Sequence, residues 1–295
     1  MPEASSLSYR SEAAAQPRLE ARALTLHFTI ARVALIGVVA AYLVTILIGP
    51  IAALIVEALK LRPIELLRSL AAPGALAALK TSTLLVIIAV ALNAIIGTFG
   101  AIVITRHRFP GRGLFNALAD LPLAISPVMI GLAFMLLLGR DGGLAPALDA
   151  LGLKVLFSFP GLVIATLFVT LPYTMREVAY LLEELGTSEE EAASTLGARS
   201  HQIFLRVTLP NIRPALAHGL VMTAARGIGE FGAVLILGGS IAGKTQTATT
   251  FIHDAIEERD LASAYAMAIA LALISVAFLV ALELMKRSRE KELAR

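Results

Sequence analysis

The 295-residue chain is 57% hydrophobic and only 16% charged, with a mean hydropathy of +0.80, so it lacks the charged surface that a soluble domain of this size needs. It contains no cysteine, which excludes disulfides and thiolate metal sites. The net charge of +3 comes from basic residues set between apolar stretches or at the ends, a signal of membrane topology and not of nucleic-acid binding.

Residues 1–32 mix Glu3, Arg10, Glu12, Arg18, Glu20 and Arg22 and read as a disordered cytoplasmic tail with a short amphipathic run at 24–30. The apolar stretch behind it is too long for a signal-peptide core. Four stretches then carry no charge: 33–56, 81–105, 155–175 and 261–282, of 24, 25, 21 and 22 residues. Each can cross a hydrocarbon core about 30 Å thick as a helix. Two further apolar stretches carry isolated charges, 113–139 with Asp120 and 214–243 with Arg226 and Glu230. The expectation is an all-α membrane protein with six transmembrane helices over 33–285, embedded in a lipid bilayer. Pro122, Pro127 and Pro172 fall within these stretches and bend helices by freeing carbonyls, while Gly97, Gly100 and Gly131 allow close helix approach. Asp120 reads as a solvated span end.

Lys and Arg alternate between two sides. One side holds Arg10 to Arg32, Arg106 to Arg112, Arg176 to Arg213 and the last ten residues, 286–295, a basic tail. It outnumbers the other by roughly two to one, which places both termini in the cytoplasm. The outer loops are short, so substrate capture outside falls to another protein. Arg226 and Glu230 are four residues apart, share a helix face and can pair. Unpaired charges at mid-membrane cost roughly 2.5–3.5 kcal/mol, so both should face the bundle interior. Two readings stand: a pathway or gate element, together with Ser126 and Pro127, or a structural ion pair.

The one long inner loop, 181–213, holds most of the polar structure. Ser188 to Glu191 fits a capping box, with Ser188 accepting from the Glu191 N–H, and the acidic run suits a helix N-terminus. Gly197 can end this helix in the left-handed conformation. Ser200 can cap a second short helix, with Ile203, Phe204 and Val207 on its apolar face, and Leu209-Pro210 stops it before the next span. The expectation is helix, glycine bend, helix along the membrane surface, with Ala192 and Ala193 leaving one face flat for a partner.

Glu191-Ala192-Ala193, Gly197 and Val207-Thr208-Leu209-Pro210 resemble the EAA loop of ABC importer permeases, with Val207 where Ile is usual. Arg108 to Arg112, Ile125 to Val128, Phe157 to Gly161 and Arg226 to Ala233 extend the likeness to the W-type sulfate/thiosulfate permease family. Related molybdate permeases usually have Pro-Pro where this chain has Ser126-Pro127, which favours sulfate over molybdate, tungstate or another oxyanion. The resemblance implies a type I importer fold in the cell inner membrane and no cofactor on this chain. It also implies two ATPase subunits docking on the loop (through Glu191, Ala192, Ala193, Gly197, Leu209 and Pro210), a second related permease subunit and an extracytoplasmic sulfate-binding protein.

One motif points elsewhere. Gly238 to Thr245 matches the phosphate-binding pattern G-x-x-x-x-G-K-[ST], but that loop needs a preceding strand and a metal-binding Asp on another. The charge pattern places the stretch outside, and ATP hydrolysis is expected on a separate subunit. The five His show no ligand spacing, so no metal is expected. A secondary transporter would carry repeats with broken helices in matching halves, and none is visible. A structural membrane subunit gives no account of the capped, glycine-bent inner loop.

Overall fold

A computed structural model of the chain describes residues 4–293. They form two compact units divided after Lys60. In the first, helix α1 (Ala4–Leu59) is continuous. The tail expected to be disordered is thus helical from Ala4. The segments on either side of Pro17, Glu12-Ala13-Ala14-Ala15 and Leu19 to Leu24, are rich in strong helix formers. The Arg32–Leu59 part of α1 is long and apolar enough to cross a membrane.

The second unit comprises α2 (Pro63–Ala71), α3 (Pro73–Arg106), α4 (Arg112–Ala124), α5 (Pro127–Leu138), α6 (Ala145–Ala150), α7 (Phe159–Leu185), α8 (Ser188–Thr195), α9 (Ser200–Ile203), a π-helical turn (Phe204–Thr208), α10 (Leu209–Ile228), α11 (Gly232–Gly238), α12 (Ala248–Glu257) and α13 (Leu261–Leu293). No strand occurs among the described residues. Proline occupies the first turn of α2, α3, α5 and α7, where its missing N–H costs nothing. α13 runs past Met285 to Leu293, so the basic C-terminal segment continues the last helix instead of forming a separate tail.

Of the six expected spans, four are continuous helices and two are broken. α4 and α5 meet at 119°, and the helix from Ser200 to Ile228 meets α11 at 60°. Pro127 explains the first break, since it forces Ser126 into an extended conformation and removes an N–H. The second falls at Gly229 to Phe231. The two breaks touch: a Cβ built on Gly232 would lie 2.8 Å from Val128 Cγ2 and 3.0 Å from Val128 N.

α7 is the axis of this unit. Asn93 Nδ2 on α3 donates to Thr170 Oγ1 at 2.8 Å, and the Thr174 and Thr223 hydroxyls on α7 and α10 lie 2.9 Å apart. A Cβ on Gly219 of α10 would sit 2.8 Å from Thr174 Cα, and one on Gly97 of α3 would sit 3.1 Å from Thr174 Cβ. Thr174 is therefore gripped from both sides. Ala165 and Val169 on another face of α7 pack with Ile130, Ala233 and Leu237, which seats both broken spans on the same helix.

Gly219→Val should force α10 away from α7 and destabilise the unit by about 1–3 kcal/mol. Gly113→Val, where nothing lies within 4 Å of the new Cβ, should leave stability nearly unchanged. Thermal unfolding of the purified chain in detergent checks this, and equal midpoints for the two variants would contradict the packing.

Candidate coupling loop and membrane-embedded ion pair

The loop expected on the inner side is narrower than its sequence suggests. α7 continues to Leu185, so 181–185 belong to a core helix, and the loop opens at Gly186 (φ +66°). α8 starts one residue earlier than the expected capping box: Thr187 is the N-cap, and its carbonyl accepts from the Glu191 N–H at 2.9 Å. Thr187 Oγ1 donates to the Glu191 carboxylate at 2.6 Å, so a threonine, not Ser188, holds the acid. At the other end Ala198 N–H reaches Ala193 O at 3.1 Å and Gly197 N–H reaches Ser194 O at 2.9 Å. That is a Schellman closure, with Gly197 at φ +82°. α8 buries none of its residues, and Leu196 is 89% exposed.

Ser200 is the first residue of α9 and not its cap; Gln202 Oε1 accepts from the Arg199 N–H at 2.8 Å. Leu209-Pro210 does not stop this helix. The chain passes through the π-helical turn into α10, and the wider π register absorbs a proline that cannot donate. Polar ties fasten α8 to this turn and to α10: Thr208 Oγ1 donates to Glu190 Oε1 at 2.9 Å and Asn211 Nδ2 to Glu189 Oε2 at 2.5 Å. Glu191, Ala192, Ala193 and Gly197 thus share one exposed helix and its cap, while Leu209 and Pro210 lie at the base of α10.

Within the apolar region Arg226 Nη1 meets Glu230 Oε2 at 2.8 Å. The Glu230 side chain is 1% exposed and that of Arg226 is 30% exposed. Glu230 does more than pair. Its Oε1 accepts the Ala233 N–H at 3.0 Å, which caps α11, and its carbonyl accepts Thr249 Oγ1 at 2.7 Å. The carboxylate therefore holds the second helix break together. Ser126 and Pro127 lie at the other break, in contact with α11 through Val128 and Gly232.

Asp120 is not a free span end. Arg176 on α7 chelates it with Nε and Nη2, each at 2.6 Å, and also donates to Asn116 Oδ1 at 2.8 Å, which ties α4 to α7. The helical spacing of Asn116 and Asp120 could have signalled a shared partner; the partner lay 56 residues away and could not be read. At Gly238 to Thr245 the phosphate-loop pattern is a turn after the seven-residue helix α11. The Thr245 hydroxyl is used internally, donating to Gly238 O at 2.6 Å and accepting from the Ile241 N–H at 3.0 Å, and Lys244 is exposed. On α12, His253, Asp254 and Glu257 offer ligand atoms within 4.8 Å of one another, which the search for His and Cys spacing alone did not anticipate. His253 Nδ1 lies 3.5 Å from Asp254 Oδ1, and its Nε2 lies 3.5 Å from Glu257 Oε1.

Residues 93–293 match the family of binding-protein-dependent transport system inner membrane components, and the chain belongs to that family. It is a multi-pass membrane permease of the ABC importer class. It is 42% identical over 253 residues to the sulfate transport system permease protein CysW of Synechocystis, covering 86% of this chain and 92% of that one. It is 43% identical over 242 residues to sulfate permease 2, chloroplastic, of Chlamydomonas reinhardtii, covering 82% of this chain and 66% of that protein. The fold matches a chain of a bacterial alginate ABC transporter crystallised with an alginate pentasaccharide-bound periplasmic protein, with a TM-score of 0.72 at 18% identity over 86% of this chain and 93% of that one.

Glu230→Gln keeps an acceptor for the Ala233 N–H but removes the charge opposite Arg226, with an expected loss of about 1.5–3 kcal/mol. The double variant Arg226→Gln/Glu230→Gln should recover more assembled protein than the sum of the single effects allows. Strict additivity in detergent thermal melts would show that the two are not partners.

Proposed function

We propose that this chain is a transmembrane permease subunit that moves sulfate or thiosulfate into the cytoplasm across the inner membrane. The similarity to two sulfate permeases over more than four fifths of this chain carries the reading. ATP is hydrolysed on two separate subunits, which dock on the exposed loop bearing Glu191, Ala192, Ala193 and Gly197, with Leu209 and Pro210 at its base. A second, related permease subunit completes the channel, and a sulfate-binding protein outside delivers the substrate to the short outer loops. Both termini lie in the cytoplasm, as the charge bias requires. The domain scheme is a six-helix permease domain over 33–285, with its coupling loop at 181–213 on the cytoplasmic face.

Arg226 is the cation that a dianion meets inside the bundle. Glu230 engages it through Nη1, and a guanidinium carries further donors in a planar fork that suits an oxyanion. Glu230 holds this cation beside the second helix break, and the break at Ser126-Pro127 packs against the same short helix. The two unwound segments thus stand where backbone groups can line a passage, as irregular backbone at membrane depth requires.

In cells lacking the chain and in cells carrying it, accumulation of labelled sulfate, thiosulfate and molybdate distinguishes the substrates. Sulfate or thiosulfate uptake should disappear with the chain while molybdate uptake persists. The reverse result would assign the chain to molybdate. A single cysteine at Ser200, in a chain with none of its own, should stay unlabelled by an impermeant maleimide in intact cells; efficient labelling would invert the topology.

A further inference from the structure

The exposed loop helix α8 buries no residue in the bundle, so polar ties fix its position. The most extensive of them comes from a residue far away in sequence. Arg106, the last residue of α3, donates from Nε to Glu190 Oε2 at 2.9 Å, from Nη1 to Leu182 O at 3.0 Å and from Nη2 to Gly186 O at 2.6 Å. Nη2 also reaches Glu190 Oε1 at 3.5 Å, and that oxygen accepts Thr208 Oγ1 as well. The Arg106 side chain is 13% exposed.

One guanidinium therefore joins four segments: the end of α3, the last carbonyls of α7, the loop helix α8 and, through Glu190, the π-helical turn that begins α10. The chemistry needs arginine. The carbonyls of Leu182 and Gly186 lie at a helix C-terminus, where a cation is favoured and acceptors go unpaired within the helix. The planar fork reaches two carbonyls and a carboxylate from three separate nitrogens, whereas a lysine ammonium would have to reach them all from one.

We infer that Arg106 is a positioning residue for coupling. It makes the loop, α3, α7 and the base of α10 move as one body, so that displacement of α8 by an ATPase subunit reaches the core helices instead of being lost in bending of the loop. This rests on the reading of the chain as the permease of an ATP-driven importer. With Arg106 removed, α8 stays folded by its own cap and Schellman closure but is no longer tied to α3.

The test uses the complete importer in proteoliposomes, measuring ATP hydrolysis and sulfate uptake together for the parent, R106Q, R106K and E190Q. R106Q should keep hydrolysis within about twofold of the parent while sulfate moved per ATP falls about tenfold, the order of effect expected when a charge-assisted contact is lost. E190Q should fall in the same direction, the double variant should be no worse than R106Q, and R106K should recover part of the ratio. An unchanged ratio of uptake to hydrolysis in R106Q, or a parallel loss of both, would overturn the inference, because a merely structural residue moves both together. Should R106Q fail to assemble, E190Q and T208V read the same contact from the loop side, and unchanged ratios in both overturn it equally. A parent complex that hydrolyses ATP yet imports no oxyanion refutes the functional reading itself, a result separable from any effect of Arg106.

Discussion

Inside a bilayer, apolar helices gain nothing by leaving lipid for one another, because lipid tails are as apolar as leucine. What holds this protein together is therefore close contact along α7. Thr174 is met by Gly97 on one side and Gly219 on the other, and its hydroxyl lies within hydrogen-bond distance of Thr223. One turn away Thr170 takes a bond from the buried Asn93. Each such bond contributes only about 0.6 kcal/mol on average, so the bundle depends on several acting with dense packing of small residues. The remaining elements are seated on that axis: the broken spans through Ala165 and Val169, and α4 through the chelation of Asp120 by Arg176.

Much of this was legible in the sequence because lipid imposes a length. Uncharged stretches of more than 20 residues marked the four continuous spans. The glycine bend at Gly197 was legible too, since few residues other than glycine adopt a positive φ cheaply. The breaks were only partly so. Pro127 announced a bend, but a bend of 119° depends on what packs at the corner, and Gly232 lies more than 100 residues away. The same limit hid the partners of Asp120 and Arg106. By sequence Asp120 reads as a solvated span end and Arg106 as a topology charge, although each takes part in an arginine contact that joins separate helices. Ser188 and Thr187 are nearly equivalent as caps by type, and the backbone chose between them by one residue. At Pro210 the expectation of a helix stop failed because a π-helical turn relieved the clash.

Among the polar groups buried in the membrane region, Glu230 carries several structural contacts. Glu230 caps a seven-residue helix, pairs with Arg226 and offers its carbonyl to Thr249. The structural reading of the pair posed by the sequence has its contacts here, at the second helix break, and a gating role for Arg226 and Glu230 belongs to the proposed function. In the loop between α7 and α10, no residue of α8 is fully buried, and its polar ties to the bundle are made by Glu189 and Glu190, while Glu191, Ala192 and Ala193 belong to the surface proposed to meet a partner.

The central claim is that the loop bearing α8 and the core helices form one rigid body through which an ATPase can act. It is tested most directly by the distance between nitroxide labels at Leu196, beyond α8, and Tyr180, on the exposed face of α7, in a chain with no other cysteine. In the assembled importer the distance distribution should be the same without nucleotide and with ATP bound, although the loop as a whole moves. A shift on the order of one helical turn, about 5.4 Å, between the two states would show that the loop moves independently of the core.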